Sequence, residues 1–116
     1  MNDQDTTVSQ LRQAVAGFVD QRDWQQFHDP KNLAMSIAIE AAELMEHFQW
    51  LRNDQLSEVT DCAESLGRIR EELADVMCFL LAFANSLEID VASAVEDKLV
   101  KNAAKYPADR FRGRFK

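Results

Sequence analysis

The sequence predicts an all-α fold, built as a four-helix bundle. Only three Gly and two Pro occur among its 116 residues, so few residues interrupt helices. Four segments carry apolar residues at helical spacing, and the links between them are short, as in helical bundles. The length fits a single domain over residues 1–116, with a core that we expect association with further copies to complete.

The first two helices are marked by their N-terminal caps. Thr7 and Gln10 form a capping-box pattern in front of an apolar repeat, which predicts a helix over residues 8–22. Asp29 is a typical N-cap, and the Pro that follows it is tolerated in a first turn. The apolar repeat beyond it predicts a second helix over residues 30–51.

The other two helices follow a polar connection. Residues 52–60 lack a sustained apolar repeat, so we predict a link with at most a short turn of helix. Thr60 or Asp61 is the expected cap of a third helix that ends near Ser86. Asp90 is the expected cap of a fourth, which the second proline of the chain ends.

Two carboxylate pairs lie in segments that otherwise have the pattern of buried helices. The pairs are Glu40 with Glu43 and Glu72 with Asp75. Residues three apart share one helical face with a rise of about 4.5 Å, so both can reach one ion. Asp75 is the only charged residue among residues 73–84, a run that we expect to be buried on every side. An isolated carboxylate is costly there, which favours a divalent metal over surface glutamates or internal salt bridges.

The ligand type indicates the metal. Carboxylates without cysteine or imidazole partners suit Mg²⁺ or Mn²⁺ better than Zn²⁺, and Mg²⁺ often shares its shell with waters and substrate phosphates. We therefore predict phosphate chemistry in a cleft where the second and third helices pack together.

Charge and composition argue against several function classes. A net charge of −7 and a pI near 4.7 argue against a nucleic-acid polymer as partner. The longest apolar run, residues 76–84, is shorter than the about 20 residues that a bilayer requires, and we expect no membrane association or targeting segment. Cys62 and Cys78 match no zinc or redox spacing, so we expect a reducing cytoplasm.

The C-terminal end is strongly basic. Seven of the thirteen basic residues lie in the last nineteen positions, where Asp109 is the only acid. We predict a basic tail over residues 110–116 that is either solvated or paired with an acidic neighbour.

Three blocks of the sequence carry a family resemblance. They are WQQFHDPKNLAMSIAIEAAELMEHFQW (24–50), EELADV (71–76) and KLVKNAAKYP (98–107). These blocks resemble the all-α nucleoside triphosphate pyrophosphohydrolases, the MazG-like group, and within it the dCTP pyrophosphatase branch. The resemblance implies cleavage between the α and β phosphates, with Mg²⁺ held by the four carboxylates, and a role in nucleotide-pool sanitation. It also implies a homodimer or homotetramer.

The fourth helix and the start of the second are where the resemblance implies phosphate contacts. Lys98, Asn102 and Tyr106 lie at i, i+4 and i+8 on one helical face, which the resemblance assigns to the triphosphate and the sugar. Lys98 is otherwise an exposed helix lysine. Lys31 either contacts phosphate or belongs to the cap of its helix.

Aromatic residues surround the second helix. Trp24, His28 and Trp50 form a group that either stacks against a base or belongs to the core, and the resemblance favours the base. Among the carboxylates, Glu40 is our choice for the general base that takes the proton of the attacking water.

Other functions remain open. A di-iron carboxylate bundle requires Glu-x-x-His on two helices, and neither His28 nor His47 lies three residues after an acid. A non-catalytic acidic bundle that binds another helix would hold Glu40 and Asp75 in salt bridges and need no metal. A pyrophosphohydrolase of a different nucleotide is the third alternative.

Overall fold

Four long helices and two short ones form the chain in a computed structural model that describes residues 1–116. They are α1 (Val8–Asp20), α2 (Pro30–Glu46), α3 (Ser57–Thr60), α4 (Ala63–Ser86), α5 (Val91–Lys105) and α6 (Ala108–Phe111). Single turns of 3-10 helix lie at Gln25–Phe27 and Asn53–Gln55, and there is no β-strand. The all-α prediction is confirmed.

The N-terminal caps of three long helices follow the sequence pattern. The Thr7 hydroxyl accepts the Gln10 N–H at 3.1 Å, and the Gln10 side chain accepts the Thr7 N–H at 2.7 Å. The carboxylates of Asp29 and Asp90 each accept a backbone N–H three residues further on, at 2.8 Å. These contacts satisfy amide groups that have no partner inside the helix.

The predicted cap of α4 is wrong. The N-cap position is Cys62, which forms no side-chain cap hydrogen bond, and neither Thr60 nor Asp61 takes that role. Both residues belong instead to the turn of α3: the Thr60 hydroxyl donates to the Leu56 carbonyl, and the Asp61 N–H donates to the Ser57 carbonyl.

Helix α2 ends earlier than predicted, at Glu46. Beyond it, the N–H of Phe48 donates to the Met45 carbonyl and that of Leu51 to the Phe48 carbonyl. Such bonds between residues three apart wind the chain more tightly than an α-helix does. Trp50 therefore lies in a turn.

The core lies where α4 packs against α2 and α1. Only five of the 116 residues are buried, and all five are apolar: Val19, Leu33, Leu81, Ala82 and Ala84. The expectation that residues 73–84 are buried on every side is wrong, because α1 and α2 cover only one side of α4. Asp75, Leu73, Met77 and Leu80 are exposed within one chain.

Helix α5 leaves this group at a sharp angle. It is bent by 101° from α4 and makes few contacts with the other helices. Apolar side chains along it are exposed, with Leu99 at 61%. No single helix is both long enough and apolar enough to cross a bilayer. Only α4 and α5 counted as one bent pair reach the required length and apolar content.

The C-terminal end starts with a folded segment. Helix α6 includes Arg110 and Phe111, so the predicted basic tail begins inside it. The ring of Phe111 packs edge-on against Tyr106, with 5.3 Å between the ring centroids.

Candidate metal centre and aromatic pocket

Three carboxylates meet where α2 packs against α4. Glu40 and Glu43 come from α2 and Glu72 from α4, and each offers an oxygen within 4.8 Å of the other two. The first two share a helical face because they are three residues apart. We call these three residues the carboxylate cluster.

Two oxygens of the carboxylate cluster have no protein partner. Oε2 of Glu40 and Oε2 of Glu72 are buried and accept no hydrogen bond. Buried polar atoms are normally satisfied, so these two oxygens indicate carboxylates that bind either protons or a cation. Carboxylate oxygens are the hard donors that Mg²⁺ and Mn²⁺ prefer, and three carboxylates that can each bring an oxygen within 4.8 Å of the others fit such an ion.

The electrostatics of the carboxylate cluster follow from its burial and its like charges. Burial is the largest cause that raises the pKa of Glu40, followed by the closeness and the negative charge of the Glu43 carboxylate. Burial and then the charge of Glu43 likewise raise the pKa of Glu72. Glu40 and Glu72 therefore resist ionisation unless a cation balances the charge.

No salt bridge to a lysine or arginine balances this charge. Neither Glu40 nor Asp75 is paired with a lysine or arginine, and Arg68 is paired with Glu64 on the surface of α4 instead. The arrangement that a non-catalytic bundle requires is therefore not present.

Asp75 lies next to the carboxylate cluster but outside its closest group. It is exposed, one helical turn beyond Glu72 on α4. Its negative charge still contributes to the raised pKa of both Glu40 and Glu72. Three of the four predicted metal ligands are thus brought together, and the fourth is a neighbour.

A line of aromatic rings runs from α1 to α4. Centroid distances are 5.7 Å from Phe18 to Trp24, 6.4 Å from Trp24 to His28, and 6.4 Å from His28 to Phe79. Sequence reasoning missed Phe18 and Phe79. The spacing offered a signal for Phe79, because it lies seven residues after Glu72 and hence on the same face of α4.

Backbone geometry sets the position of this line. Asp23 has a φ of 53°, a left-handed conformation that Asp tolerates, and it turns the chain so that the Trp24 N–H donates to the Val19 carbonyl. The Asn32 side chain donates to the Phe27 carbonyl at 3.2 Å, which joins the aromatic turn to α2.

A cavity of about 420 Å³ lies beside the aromatic line. Its lining mixes apolar and polar residues and includes Val15, Val19, Gln25, His28 and Asn85. Such a combination suits a flat, polar-edged ligand.

The remaining predicted substrate residues are apart from the carboxylate cluster. Lys31 is exposed in the first turn of α2, and Trp50 is 85% exposed in the turn after it. Lys98, Asn102 and Tyr106 lie on α5 or at its end, and none bonds to the cluster.

Comparisons with known proteins agree with the sequence resemblance. A match to the MazG-like family covers residues 35–115. The chain is 35% identical to dCTP pyrophosphatase 1 of Mus musculus over 107 residues, which is 92% of this chain and 63% of that protein. It is also 35% identical to dCTP pyrophosphatase 1 of Homo sapiens over 102 residues, 88% of this chain and 60% of the human protein. The chain thus spans less than two thirds of the length of these relatives.

The fold matches a solved structure. A pyrophosphatase from Archaeoglobus fulgidus superposes with a TM-score of 0.81 at 41% sequence identity, over 92% of this chain and 98% of that chain. Together with the sequence match, this confirms the predicted resemblance: the chain belongs to the MazG-like family.

Proposed function

We propose that the protein is a metal-dependent nucleoside triphosphate pyrophosphohydrolase, with dCTP or a modified dCTP as its substrate. The products are the nucleoside monophosphate and pyrophosphate. The observation that carries this proposal is the carboxylate cluster, with its buried oxygens that lack protein partners. The relatives named dCTP pyrophosphatase 1 and the structurally similar pyrophosphatase support the reaction class.

In this proposal Glu40, Glu43 and Glu72 hold Mg²⁺. The exposed Asp75, next to the carboxylate cluster, is the fourth ligand. Mn²⁺ suits the same oxygen donors. When bound, the ion supplies positive charge that offsets the charge on the phosphate oxygens.

The general base is Glu40. It is half-buried, and burial beside Glu43 raises its pKa, so it is a stronger base than a solvated glutamate. A water that donates a hydrogen bond to Glu40 transfers its proton there as its oxygen attacks the α-phosphorus. Pyrophosphate is then the leaving group.

The base of the nucleotide stacks along the aromatic line. Trp24 and His28 offer ring faces, and Phe79 extends the line onto α4. Trp50 is exposed in the turn at the other end of α2, so it is a candidate base contact only where another copy of the chain brings it to the line. Aromatic faces bind any base, so polar residues of the adjoining cavity are the candidates for choosing cytosine.

Phosphates and sugar are bound by Lys31 on α2 and by Lys98, Asn102 and Tyr106 on α5. Because α5 leaves the other helices, we propose that a homodimer or homotetramer completes this site. Exposed apolar side chains on α4 and α5 support such an assembly.

Nucleotide-pool sanitation is the role that fits a small phosphorylated substrate and an acidic protein. We propose the reducing cytoplasm as its compartment, since both cysteines are free. No observation favours a nucleic-acid polymer or a membrane as partner.

The test is a hydrolysis screen of canonical and 5-substituted nucleoside triphosphates with Mg²⁺, with separate measurement of monophosphate, pyrophosphate and free phosphate. We expect equal amounts of monophosphate and pyrophosphate, preference for deoxycytidine forms, and loss of turnover with a chelator. Release of free phosphate instead of pyrophosphate would contradict the reaction, and turnover of another base alone would contradict only the substrate.

A further inference from the structure

Arg12 of α1 holds the turn between α4 and α5 with its whole guanidinium group. Nε donates to Oδ1 of Asn85 at 2.9 Å, Nη1 to the Ile89 carbonyl at 2.6 Å, and Nη2 to the Ala84 carbonyl at 3.3 Å. The Asn85 side chain donates back to the Arg12 carbonyl at 3.1 Å. One side chain thus bonds to three residues of a single turn.

The C-terminal end of α4 needs such a partner. Its last carbonyl groups accept no hydrogen bond from an N–H of the same helix. They also carry partial negative charge, which a nearby cation stabilises. Glu88, within this turn, has a left-handed φ of 54°. The Ile89 N–H that follows it donates to the Ala84 carbonyl, which closes the end of the helix. Arg12 donates to the carbonyls of both residues that this hydrogen bond joins, Ala84 and Ile89.

Arg12 also acts on the start of α5. Asp90 caps α5. Its hydrogen bonds with Ser93 are the largest cause that lowers its pKa, and the nearby positive charge of Arg12 lowers this pKa further. The direction of α5 within one chain therefore depends on this turn, because α5 has few other contacts.

We propose that Arg12 is a positioning residue, which fixes the direction of α5 and so places Lys98 and Asn102 for contact with the triphosphate. This inference rests on the proposed function of those two residues. Lys98 lies eight residues after Asp90, or about 12 Å along the helix at 1.5 Å per residue. A change of about 10° in helix direction moves Lys98 by about 2 Å, enough to weaken a substrate contact strongly.

The test compares Arg12→Gln, Arg12→Lys, Lys98→Ala and the double variant Arg12→Gln/Lys98→Ala by steady-state kinetics with dCTP. We expect Arg12→Gln to raise KM by about tenfold with little change in kcat. Arg12→Lys keeps the positive charge but cannot make all three hydrogen bonds of the guanidinium group, so its KM should lie between those of the wild type and Arg12→Gln. Arg68→Gln, which removes an exposed arginine from α4, is the matched control and should change neither constant.

Two further measurements separate positioning from general damage. Mn²⁺ binding, followed by electron paramagnetic resonance, should not change in Arg12→Gln, because the carboxylate cluster is away from the turn. The double variant should raise KM by less than the product of the two single effects, since one of the two residues that Arg12 positions is then absent. If Arg12→Gln does not fold, Arg12→Lys is measured in its place and should raise KM by a smaller factor with unchanged Mn²⁺ binding.

Unchanged KM in Arg12→Gln, additive effects in the double variant, or parallel loss of Mn²⁺ binding would each overturn the inference. If Lys98→Ala itself leaves KM unchanged, the proposed triphosphate contact is wrong. If Lys98→Ala raises KM and Arg12→Gln does not, only the role of Arg12 is wrong.

Discussion

His47 Nε2 lies 4.0 Å from Oε1 of Glu72, and no other basic group is this close to the carboxylate cluster. The two side chains are 22% and 23% exposed. The positive charge of a protonated His47 opposes the causes that raise the pKa of Glu72, but burial and the neighbouring acids outweigh it. A single histidine therefore does not balance the three carboxylates of the cluster.

Metal-free protein should lose stability as pH rises because of the carboxylate cluster. The folded-state pKa values of Glu40 and Glu72 are raised above 4.5, so the folded state binds more protons than the unfolded state. The contribution of these groups is most favourable below the unfolded value and is lost as pH rises through the folded values. Thermal unfolding with a chelator should show Glu72→Gln gaining stability over the wild type as pH rises from 4 to 7.

The control for this experiment is Glu71→Gln, which alters an exposed acid beside Glu72 in the sequence. It should follow the wild type at every pH. Addition of Mg²⁺ should raise the unfolding temperature of the wild type more than that of Glu72→Gln. An equal response of the two variants would mean that Glu72 does not bind the ion.

Glu40→Gln should abolish most of the turnover. Loss of a general base typically costs about 10²- to 10⁴-fold in rate, and Glu40 would lose a metal ligand at the same time. Asp75→Asn, at the edge of the cluster, should lower Mn²⁺ affinity by only about tenfold. Steady-state kinetics and metal titration check both values; full turnover in Glu40→Gln would show that our site is misassigned.

Trp24→Ala and Phe79→Ala should weaken nucleotide binding. Stacking of a base on an aromatic ring is worth about 1–3 kcal/mol, which corresponds to a rise in KM of roughly 5- to 150-fold. Phe115→Ala removes an aromatic ring that is exposed at the C-terminal end and should have no effect. If the two variants lower stability without changing KM, the aromatic line is part of the core and not a base site.

Glu88→Gly should stabilise the protein. A left-handed conformation costs an L-residue about 1–2 kcal/mol, and glycine avoids this cost at the price of some chain entropy. We expect a net gain of about 1 kcal/mol in the free energy of unfolding. Asp23→Gly is the comparison: it has a similar φ, but Asp tolerates it, so the gain should be smaller.

Local chemistry explains what the sequence could predict. The caps at Thr7, Asp29 and Asp90 depend on residues three positions apart, and so does the pairing of Glu40 with Glu43. Each of these could be recognised without knowing the fold. The resemblance to the family added the reaction class.

The missing features depend on contacts between distant segments. The turn before α5, where the chain bends by 101°, accepts hydrogen bonds from Arg12, more than 70 residues away in the sequence. The exposure of Asp75 follows from α1 and α2 covering only one side of α4, although its neighbours in the sequence are apolar. No periodicity within one helix contains that information.

A core of five buried residues has a consequence for how the chain reaches its native state. So small a core leaves the apolar side of α4 around Leu73 and Met77 to be covered from outside the chain. Folding and self-association should then be one linked reaction, and the midpoint of thermal unfolding should rise with protein concentration. Substitution of Leu73 by a charged residue would weaken self-association. The folded protein, and with it the carboxylate site, would then be lost on dilution although no ligand of the site had changed.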